Sequence, residues 1–475
     1  MGLKFGTSGL RGLAVDLLGG PSAAFTTAFV RHLLMDGHVR IGDRMFVGRD
    51  LRESSPEIAA QCMKALALAG MVPVDCGALP TPALALHASA NRAAGIMVTG
   101  SHIPADRNGL KFYRPDGEID KTDEASIAAL ATEPVRWKDA ASTVTPYANE
   151  ADAAWALYRD RCLDILPADA LSGLRIGVYQ HSSVARDFLG GLLSVHGAEV
   201  LALGRSETFV AVDTEAIGEE TAARLKDWTR QHHLHAIVST DADADRPLVI
   251  DETGRQIRGD IMGLATARFL RADCVVTPIT SNSGIDHVPG IQTIRTRVGS
   301  PYVIEAMLRA CREGRGVVTG FEANGGFILA SPASSGSMML APLPTRDSML
   351  PILALLGQGG RALSKYVEAL KLPVCMSDRL IDYPVEAGRA LMAWLAAERS
   401  NIARFLQGLG TVSRVDSMDG LRIVLDDGSV VHLRPSGNAP EMRCYVEAAT
   451  SDAARWLLSA TLARVHEHVQ GGALS

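Results

Sequence analysis

Three aspartates stand at alternate positions in the stretch HAIVSTDADADRPLVIDETG, and their spacing suggests metal chemistry. Asp241, Asp243 and Asp245 follow an apolar run that is typical of a buried strand. Side chains at alternate positions of an extended segment point to one side, so the spacing predicts three carboxylates that face each other. A cation must neutralise such a group, and a ligand set made only of oxygens favours Mg²⁺ or Ca²⁺.

Two other interpretations of the acidic stretch compete with this one. A solvated acidic turn is disfavoured because the segment directly follows a strand pattern. An EF-hand loop would use the three aspartates at positions one, three and five, with Glu252 at position twelve. However, Arg246 stands where that loop needs glycine, and the flanks favour strands rather than helices. We therefore expect a Mg²⁺ site with an open position, which water or phosphate oxygens complete.

A second chemical motif is the loop VTGSHIPADRNGLKFY, which places a serine at the end of a short apolar run. The run AAGIMV predicts a buried strand, so Ser101 is expected on a defined turn at the strand's end, where open α/β sheets bind their ligands. Taken singly, the other groups have ordinary explanations. His102 would be a structural hydrogen-bonding group, Lys111 a solvated lysine, and Arg11 in FGTSGLRG a surface residue.

Two further loops carry groups that could bind a sugar phosphate, although each signal is weak alone. In VVTGFEANGGF, Glu322 and Asn324 could accept from and donate to vicinal hydroxyls, beside a glycine pair that would let backbone approach a ligand. In HLRPSGNAPEMRCY, an arginine fork and a run of backbone and short side-chain donors could surround an anion. These residues are Arg434, Ser436, Gly437 and Asn438.

Strands that alternate with helices would position these loops. Two strand–helix–strand units, each with a glycine at the helix end, begin near residues 45 and 175, and a third begins near Cys274. This alternation predicts α/β domains with mixed, mostly parallel sheets. After residue 370, strand runs joined by an Asp-Asp-Gly turn predict an α+β domain. The expected domains are 1–150, 151–255, 256–370 and 371–475, with one of the four loops in each.

Composition excludes several classes of protein. The 475 residues are too many for one core and suggest three or four domains. A net charge of −6 argues against a broad basic surface for nucleic acid. No apolar signal core or membrane span stands out, and the seven cysteines form no C-x-x-C pair, so we expect a reduced cytoplasmic protein without a membrane partner.

Together these loops resemble those of the α-D-phosphohexomutase superfamily, which includes phosphomannomutases and phosphoglucomutases. The resemblance rests on TGSHIPADRNGLK, DADADR, GFEANGG and RPSGNAPEMR, which occur in the family's order across nearly the whole chain. VGRDLRESSP and LPTRDSMLP also look like family segments. The resemblance implies a four-domain protein with its active-site loops around a central cleft.

The resemblance also implies a reaction. The serine that matches Ser101 is phosphorylated and, with the three aspartates, binds Mg²⁺. It passes phosphate to a sugar monophosphate and forms a hexose 1,6-bisphosphate, which returns its other phosphate to the serine. Hexose 6-phosphate and hexose 1-phosphate are thereby interconverted.

Other site roles follow from the same resemblance. His102, Lys111 and Arg11 surround the transferring phosphate. We expect Lys111 to be the general acid or base, because burial beside other cations lowers a lysine's pKa. Glu322 and Asn324 bind the sugar O3 and O4. Arg246 bridges the metal loop and either Glu322 or the substrate, and Arg297 contacts the substrate. The phosphate that is not transferred is bound by Arg434, Ser436, Gly437 and Asn438.

Departures from the family pattern bear on the sugar. Ile103 and Ala242 replace a usual Asn and Gly without removing a reactive group. In the sugar loop, Asn324 and Gly326 stand where Ser and His are usual, after Phe321. The resulting loop resembles phosphomannomutase-like members more than glucosamine-specific ones.

Several alternatives remain open at this stage. They are a phosphoglucomutase or dual-specificity mutase, a phosphoglucosamine mutase, a non-catalytic sugar-phosphate-binding protein and a phosphatase. We expect the protein to be a monomer or a homodimer.

Overall fold

The computed structural model describes residues 3–6, 9–132, 147–335, 338–436 and 440–469. By its internal contacts the chain divides into two compact units. The first comprises Met1–Val276 and Gly299–Ala369, and the second comprises Thr277–Val298 and Leu370–Ser475.

The first sheet has eight strands in the order β1–β2–β6–β5–β3–β4–β8, with β7 paired to β6. Its β3–β4, β3–β5 and β4–β8 pairs are parallel, whereas β5–β6, β6–β7, β2–β6 and β1–β2 are antiparallel. The elements are β1 Lys4–Phe5, β2 Leu10–Leu13, α1 Ala14–Leu18, α2 Pro21–Met35, β3 Arg44–Arg49, α3 Ser55–Leu68, β4 Val72–Ala78, α4 Thr81–Ala90, β5 Ala94–Val98, β6 Arg107–Arg114, β7 Gly117–Glu118, α5 Lys121–Ala131 and β8 Ala148–Asn149.

The second sheet repeats this plan with the strand order β10–β9–β11–β12–β13. The β9–β10 and β9–β11 pairs are parallel, and β12 and β13 extend the sheet in antiparallel fashion. The elements are α6 Ala151–Leu163, β9 Arg175–His181, α7 Arg186–Val195, β10 Glu199–Arg205, α8 Glu219–Gln231, β11 Ala236–Thr240, β12 Pro247–Asp251 and β13 Gln256–Ile257.

The third sheet runs β14–β16–β17–β20 within the first unit; β14 and β16 are parallel, and the later pairs are antiparallel. The elements are α9 Gly259–Phe269, β14 Cys274–Pro278, β15 Gln292–Thr296 (in the second unit), α10 Ser300–Arg312, β16 Val318–Phe321, β17 Phe327–Leu329, the hairpin β18 Ala333–Ser335 and β19 Met338–Leu340, β20 Leu343–Asp347, α11 Met349–Gly359 and α12 Leu363–Ala369.

The second unit contains a fully antiparallel sheet in the order β21–β25–β24–β23–β22. Gly428, with φ of 83°, makes the Asp-Asp-Gly turn between β23 and β24, as the sequence predicts. The elements are a short 3₁₀ helix Ser283–His287, β21 Val374–Leu380, α13 Val385–Ala397, α14 Arg399–Phe405, β22 Val412–Asp416, β23 Leu421–Leu425, β24 Val430–Pro435, β25 Met442–Ala448 and α15 Ser451–Val469.

The structure confirms the predicted strand–helix–strand units and their glycine stops. Gly70, Gly197 and Gly314 follow α3, α7 and α10 with φ of 85°, 91° and 70°, a left-handed conformation that ends a helix without steric cost. The prediction of mixed α/β sheets is also confirmed. The antiparallel share is larger than expected, because after β5, β11 and β16 the chain turns straight back, whereas a parallel return needs a long crossover.

The three antiparallel connections after β5, β11 and β16 form the loops that carry the predicted site residues. The strands β5, β11 and β16 are buried along their full length, and each is followed by a short turn: residues 99–106, 241–246 and 322–326. A rigid strand therefore fixes the start of every loop. All seven cysteines are free thiols. None of the helices in the described ranges combines the length and apolar character that a bilayer crossing requires.

Candidate active site

Ser101 lies on the turn that follows β5, as predicted, and its side chain is fully buried. Its φ is 54°, in the left-handed region that non-glycine residues rarely adopt. The turn holds this conformation partly because the Ser101 N–H donates to Thr99 Oγ1 over 2.8 Å. Strained backbone of this kind is concentrated at functional sites.

Arg52, which is 1% exposed, fixes the rest of the serine loop. Its Nη1 donates to the carbonyls of Pro104 and Arg107, and its Nη2 donates to those of Ser101 and Ile103, over 2.7 to 2.9 Å. A single guanidinium therefore binds four carbonyls in and directly after the loop.

Asp50 and Phe209 in turn hold Arg52. Asp50 Oδ2 lies 3.3 Å from Arg52 Nε, and the same carboxylate accepts from the hydroxyls of Ser55 and Thr99. The Phe209 ring lies 3.9 Å from the guanidinium carbon, a cation–π contact. Arg52 belongs to the segment VGRDLRESSP, whose resemblance to the family gave no role for this arginine.

The three aspartates converge, but not for the reason expected from the sequence. Residues 241–246 form a turn rather than an extended segment; Ala244 has φ of 56°, and the N–H groups of Asp245 and Arg246 donate to Asp241 Oδ1. The prediction of alternating side chains on one strand face was wrong. The turn itself gathers the carboxylates, whose ligand oxygens lie within 4.8 Å of one another.

The structure brings the serine and the acidic turn together across 140 residues of sequence. Ser101 Oγ donates to Asp241 Oδ2 over 2.5 Å. Two more groups bind the neighbouring carboxylates: Lys111 Nζ lies 2.6 Å from Asp243 Oδ2 and from Asp245 Oδ2, and Thr81 Oγ1 donates to Asp243 Oδ2. Thr81, the first residue of α4, was not identified from the sequence.

The electrostatics of the acidic turn favour a cation. Burial, together with Asp243 and Asp245, raises the pKa of Asp241 well above its usual range. Burial acts in the same direction on Asp245, but Arg346, Lys111 and Arg246 outweigh it and hold its pKa well below the usual range. Within the described residues, Oδ1 of Asp243 and Oδ1 of Asp245 are buried without a hydrogen-bond partner. Buried carboxylate oxygens without a hydrogen-bond partner fit a hard divalent ion.

The predicted cations also surround this turn. Arg246 Nη1 donates to His102 Nδ1 over 2.8 Å, and Ser101 Oγ lies 3.3 Å from the same ring nitrogen. Burial, with Arg246 and Arg11 nearby, lowers the pKa of His102 to about 2, so this ring is neutral. Arg11 Nη2 is buried and has no hydrogen-bond partner among the described residues, and burial beside Arg246 lowers the pKa of Arg11 to about 10.

Lys111 is found in a different environment from the one expected. The sequence predicts cations beside it, whereas its ammonium group contacts two carboxylates, Asp243 and Asp245. Its role as a general acid or base remains a prediction.

The turn at residues 322–326 places Glu322 and Asn324 side by side, and both are buried. Asn324 Nδ2 lies 3.4 Å from Glu322 Oε2, while its Oδ1 accepts from the N–H of Gly326. An ion pair joins this turn to Arg346, whose Nη1 lies 3.7 Å from Glu322 Oε2. The sequence suggested no role for Arg346. Arg246 donates to His102, and its bridge to Glu322 or the substrate remains a prediction.

In the second unit, the neighbouring residues Met418 and Asp419 contact two predicted substrate-binding arginines. Arg434 Nε donates to Asp419 Oδ1 over 2.8 Å, and the N–H of Val298, which follows Arg297, donates to Asp419 Oδ2. Arg297 Nε donates to the Met418 carbonyl. The Ser436 N–H donates to the Glu441 carbonyl. The predicted residues Gly437 and Asn438 lie outside the described residues.

Comparison with known families gives four matches in chain order. The models described as phosphoglucomutase/phosphomannomutase alpha/beta/alpha domains I, II and III match residues 2–135, 156–254 and 258–372. The model described as the C-terminal domain matches residues 389–462. Together these matches cover most of the chain.

Individual relatives agree with the family match. The chain is 53% identical over 467 residues to a phosphomannomutase of Sinorhizobium fredii, covering 98% of each chain. It is 39% identical over 470 residues to a phosphomannomutase of Salmonella muenchen, covering 98% of this chain and 96% of the relative. A crystal structure from Thermus thermophilus, described as a candidate phosphomannomutase, matches with a TM-score of 0.74 at 25% identity over 99% of each chain. The chain therefore belongs to the phosphoglucomutase/phosphomannomutase family and is a phosphohexomutase, an enzyme of the isomerase class.

Proposed function

We propose that this enzyme is a Mg²⁺-dependent phosphomannomutase that interconverts mannose 6-phosphate and mannose 1-phosphate. The observation that carries the proposal is the contact between Ser101 Oγ and Asp241 Oδ2 at 2.5 Å. It joins a buried serine on a strained turn to an acidic group that can hold a divalent ion. The names of the two relatives at 53% and 39% identity favour mannose as the sugar.

In the proposed reaction Ser101 carries the phosphoryl group. A sugar hydroxyl attacks the phosphorus and gives up its proton, the bond from phosphorus to Ser101 Oγ breaks, Oγ takes up a proton so that none is released overall, and a hexose 1,6-bisphosphate forms. In the second half of the cycle, the phosphate at the other end of the sugar is transferred back to Ser101 Oγ, and its bond to the sugar oxygen breaks. Magnesium held by Ser101, Asp241, Asp243 and Asp245 would supply Lewis acidity to the transferring phosphoryl oxygens.

The residues around Ser101 then have distinct proposed roles. Arg11 and Arg246 neutralise charge on the transferring phosphoryl group, because such transfer depends mainly on positioning and charge. The neutral His102 ring accepts from Arg246 and thereby orients its guanidinium. Lys111 is our candidate for returning a proton to the serine oxygen as the phosphoryl group leaves, since its ammonium form can donate.

Substrate-binding roles are assigned to the remaining loops. We infer that Glu322 and Asn324 bind the sugar O3 and O4, so that either end of the sugar can face Ser101. Arg297, Arg434, Ser436, Gly437 and Asn438 hold the phosphate that is not transferred. We also propose four domains with bounds near residues 150, 255 and 370, a cytoplasmic location, and a monomer or homodimer, which light scattering after size exclusion tests.

The decisive assay compares kcat/KM for mannose, glucose and glucosamine 1-phosphates, with Mg²⁺ and a trace of hexose 1,6-bisphosphate. We expect isomer conversion with mannose 1-phosphate preferred and little net phosphate release. A glucose or glucosamine preference would reassign the substrate. Net phosphate release would indicate a phosphatase, and no conversion of any of the three would indicate a binding protein.

A further inference from the structure

Arg346 lies where the metal-binding turn and the sugar-binding turn meet, and its side chain is 2% exposed. It belongs to β20, which pairs with β17, the strand that begins directly after the turn at residues 322–326. This pairing places the start of its side chain against the sugar-binding turn. Its guanidinium extends to the metal-binding turn.

The guanidinium contacts both turns through separate nitrogens. Nε and Nη2 donate to Asp245 Oδ2 over 3.1 and 2.7 Å, and Nη1 lies 3.7 Å from Glu322 Oε2. Lys111 also donates to Asp245 Oδ2. All of these donors use one oxygen, whereas Asp245 Oδ1 lies 3.7 Å from Arg246 Nε and has no hydrogen-bond partner in the described part of the chain.

The aliphatic part of Arg346 explains a glycine in the neighbouring turn. A Cβ at Gly326 would lie 2.3 Å from Arg346 Cδ and 2.9 Å from its Cγ. Those distances are far inside van der Waals contact, so Gly326 is required by the side chain above it. The sequence suggested that this glycine lets a ligand approach the backbone. The structure shows that an arginine side chain takes that space.

The carboxylates around Arg346 stabilise its positive charge. Burial alone would lower the pKa of Arg346, but Asp245, Glu118 and Glu322 outweigh it and raise the pKa well above its usual range. The side chain is therefore a permanent cation between two carboxylates that belong to different turns.

We propose that Arg346, seated over Gly326, is a positioning residue that aligns Asp245 for metal binding and Glu322 for sugar binding. The inference about Glu322 rests on the proposed function, whereas the inference about Asp245 concerns the metal site alone. Groups that orient a metal ligand typically change metal affinity or activity by about 10–100-fold when they are removed.

The first test is Arg346→Lys in the full chain, because lysine keeps the charge but cannot donate to Asp245 from two nitrogens while facing Glu322. We expect Mg²⁺ affinity, measured by calorimetry on the dephosphorylated protein, to fall by about tenfold or more. In the mutase assay we expect the sugar KM to rise as well. The control is Arg464→Lys, where a guanidinium donates to the carbonyls of Phe405 and Gln407.

The second test uses the crowding at Gly326. Gly326→Ala pushes the Arg346 side chain aside without removing its charge, so it should reproduce the loss of Mg²⁺ affinity. In an Arg346→Ala background the clash with Arg346 Cγ and Cδ is gone and only Asn324 Oδ1, at 3.2 Å, stays close, so adding Gly326→Ala should change Mg²⁺ affinity by less than about twofold. Non-additivity of this kind is expected when two changes act through one contact.

These outcomes separate the inference from the proposed function. Unchanged Mg²⁺ affinity and KM in folded Arg346→Lys, or equal effects of Gly326→Ala in both backgrounds, would overturn the positioning role. If the parent enzyme converts no hexose phosphate, the proposed function fails, yet the calorimetric comparison still tests the effect of Arg346 on Asp245.

Discussion

The serine loop should depend on Arg52 more than on any residue that touches the reacting atoms. We consider Arg52→Met, which keeps most of the aliphatic volume and removes the guanidinium. The carbonyls of Ser101, Ile103, Pro104 and Arg107 lose the guanidinium as a donor, and the buried carboxylate of Asp50 loses its ion-pair partner. No neighbouring side chain in the described contacts makes the same four bonds.

The expected loss of folding stability in Arg52→Met follows from the broken ion pair between Arg52 and Asp50. Removing one partner of such a pair costs about 3–5 kcal/mol. Burial already raises the pKa of Asp50, so the orphaned carboxyl can relieve part of the cost by taking up a proton, and we expect about 3 kcal/mol. At about 2–4 °C per kcal/mol for a domain of this size, the Tm should fall by about 6–12 °C. Mutase activity should fall by about 10²-fold, because a shift of about 1 Å in Ser101 misaligns the transfer.

A matched control is available at Arg44. It also pairs with a carboxylate, Glu150, and lies over an aromatic ring, Phe46, but its side chain is 40% exposed. Arg44→Met should therefore cost less than about 1 kcal/mol. Thermal unfolding and mutase assays on both variants test the reasoning. A Tm for Arg52→Met within about 2 °C of the Arg44→Met value, with activity retained, would refute it.

Two further predictions concern metal binding and pH. Thr81→Val removes the hydroxyl donor to Asp243 while keeping the side-chain shape, so the Mg²⁺ concentration for half-maximal activity should rise about tenfold. Thr461→Val, which loses only a bond to a carbonyl within α15, is the control, and equal Mg²⁺ requirements in the two variants would exclude the role. Burial lowers the pKa of His432 to about 4, below the value of about 6.5 in an unfolded chain. The unfolded state therefore binds one more proton at intermediate pH, and stability is lost as pH falls from about 6.5 towards 4. In urea unfolding, His432→Gln should reduce the pH dependence of the free energy of unfolding in this range by about 1.4 kcal/mol per pH unit. Parallel pH slopes for parent and variant would contradict the assignment.

Much of the fold was predictable because its signals are local. Apolar runs predict β5, β11 and β16, and glycines at 70, 197 and 314 mark the ends of helices. The predicted βαβ units formed, and the strand runs predicted after residue 370 form the antiparallel sheet of β21 to β25. The share of antiparallel pairs was underestimated because a strand's direction depends on the length of the connection rather than on the strand's own residues.

The chemical groups of the site were partly predictable for the same reason. The reactive serine and the aspartates stand out by residue type and spacing, and the structure joins them. Arg52, Thr81 and Arg346 were missed because their importance lies in partners up to 162 residues away, which local patterns do not show. A weak signal existed for the arginines, since each lies in a segment that resembles the family without a reactive role.

The central claim is that Ser101 carries the phosphoryl group, and it has a direct measurement. The full-length enzyme is incubated with Mg²⁺ and hexose 1,6-bisphosphate, and the phosphorylated peptide is identified by mass spectrometry beside Ser101→Ala. We predict phosphate on Ser101 of the parent, none in the variant, and a loss of mutase turnover by orders of magnitude. Phosphate on another residue, or full turnover by Ser101→Ala, would contradict the account.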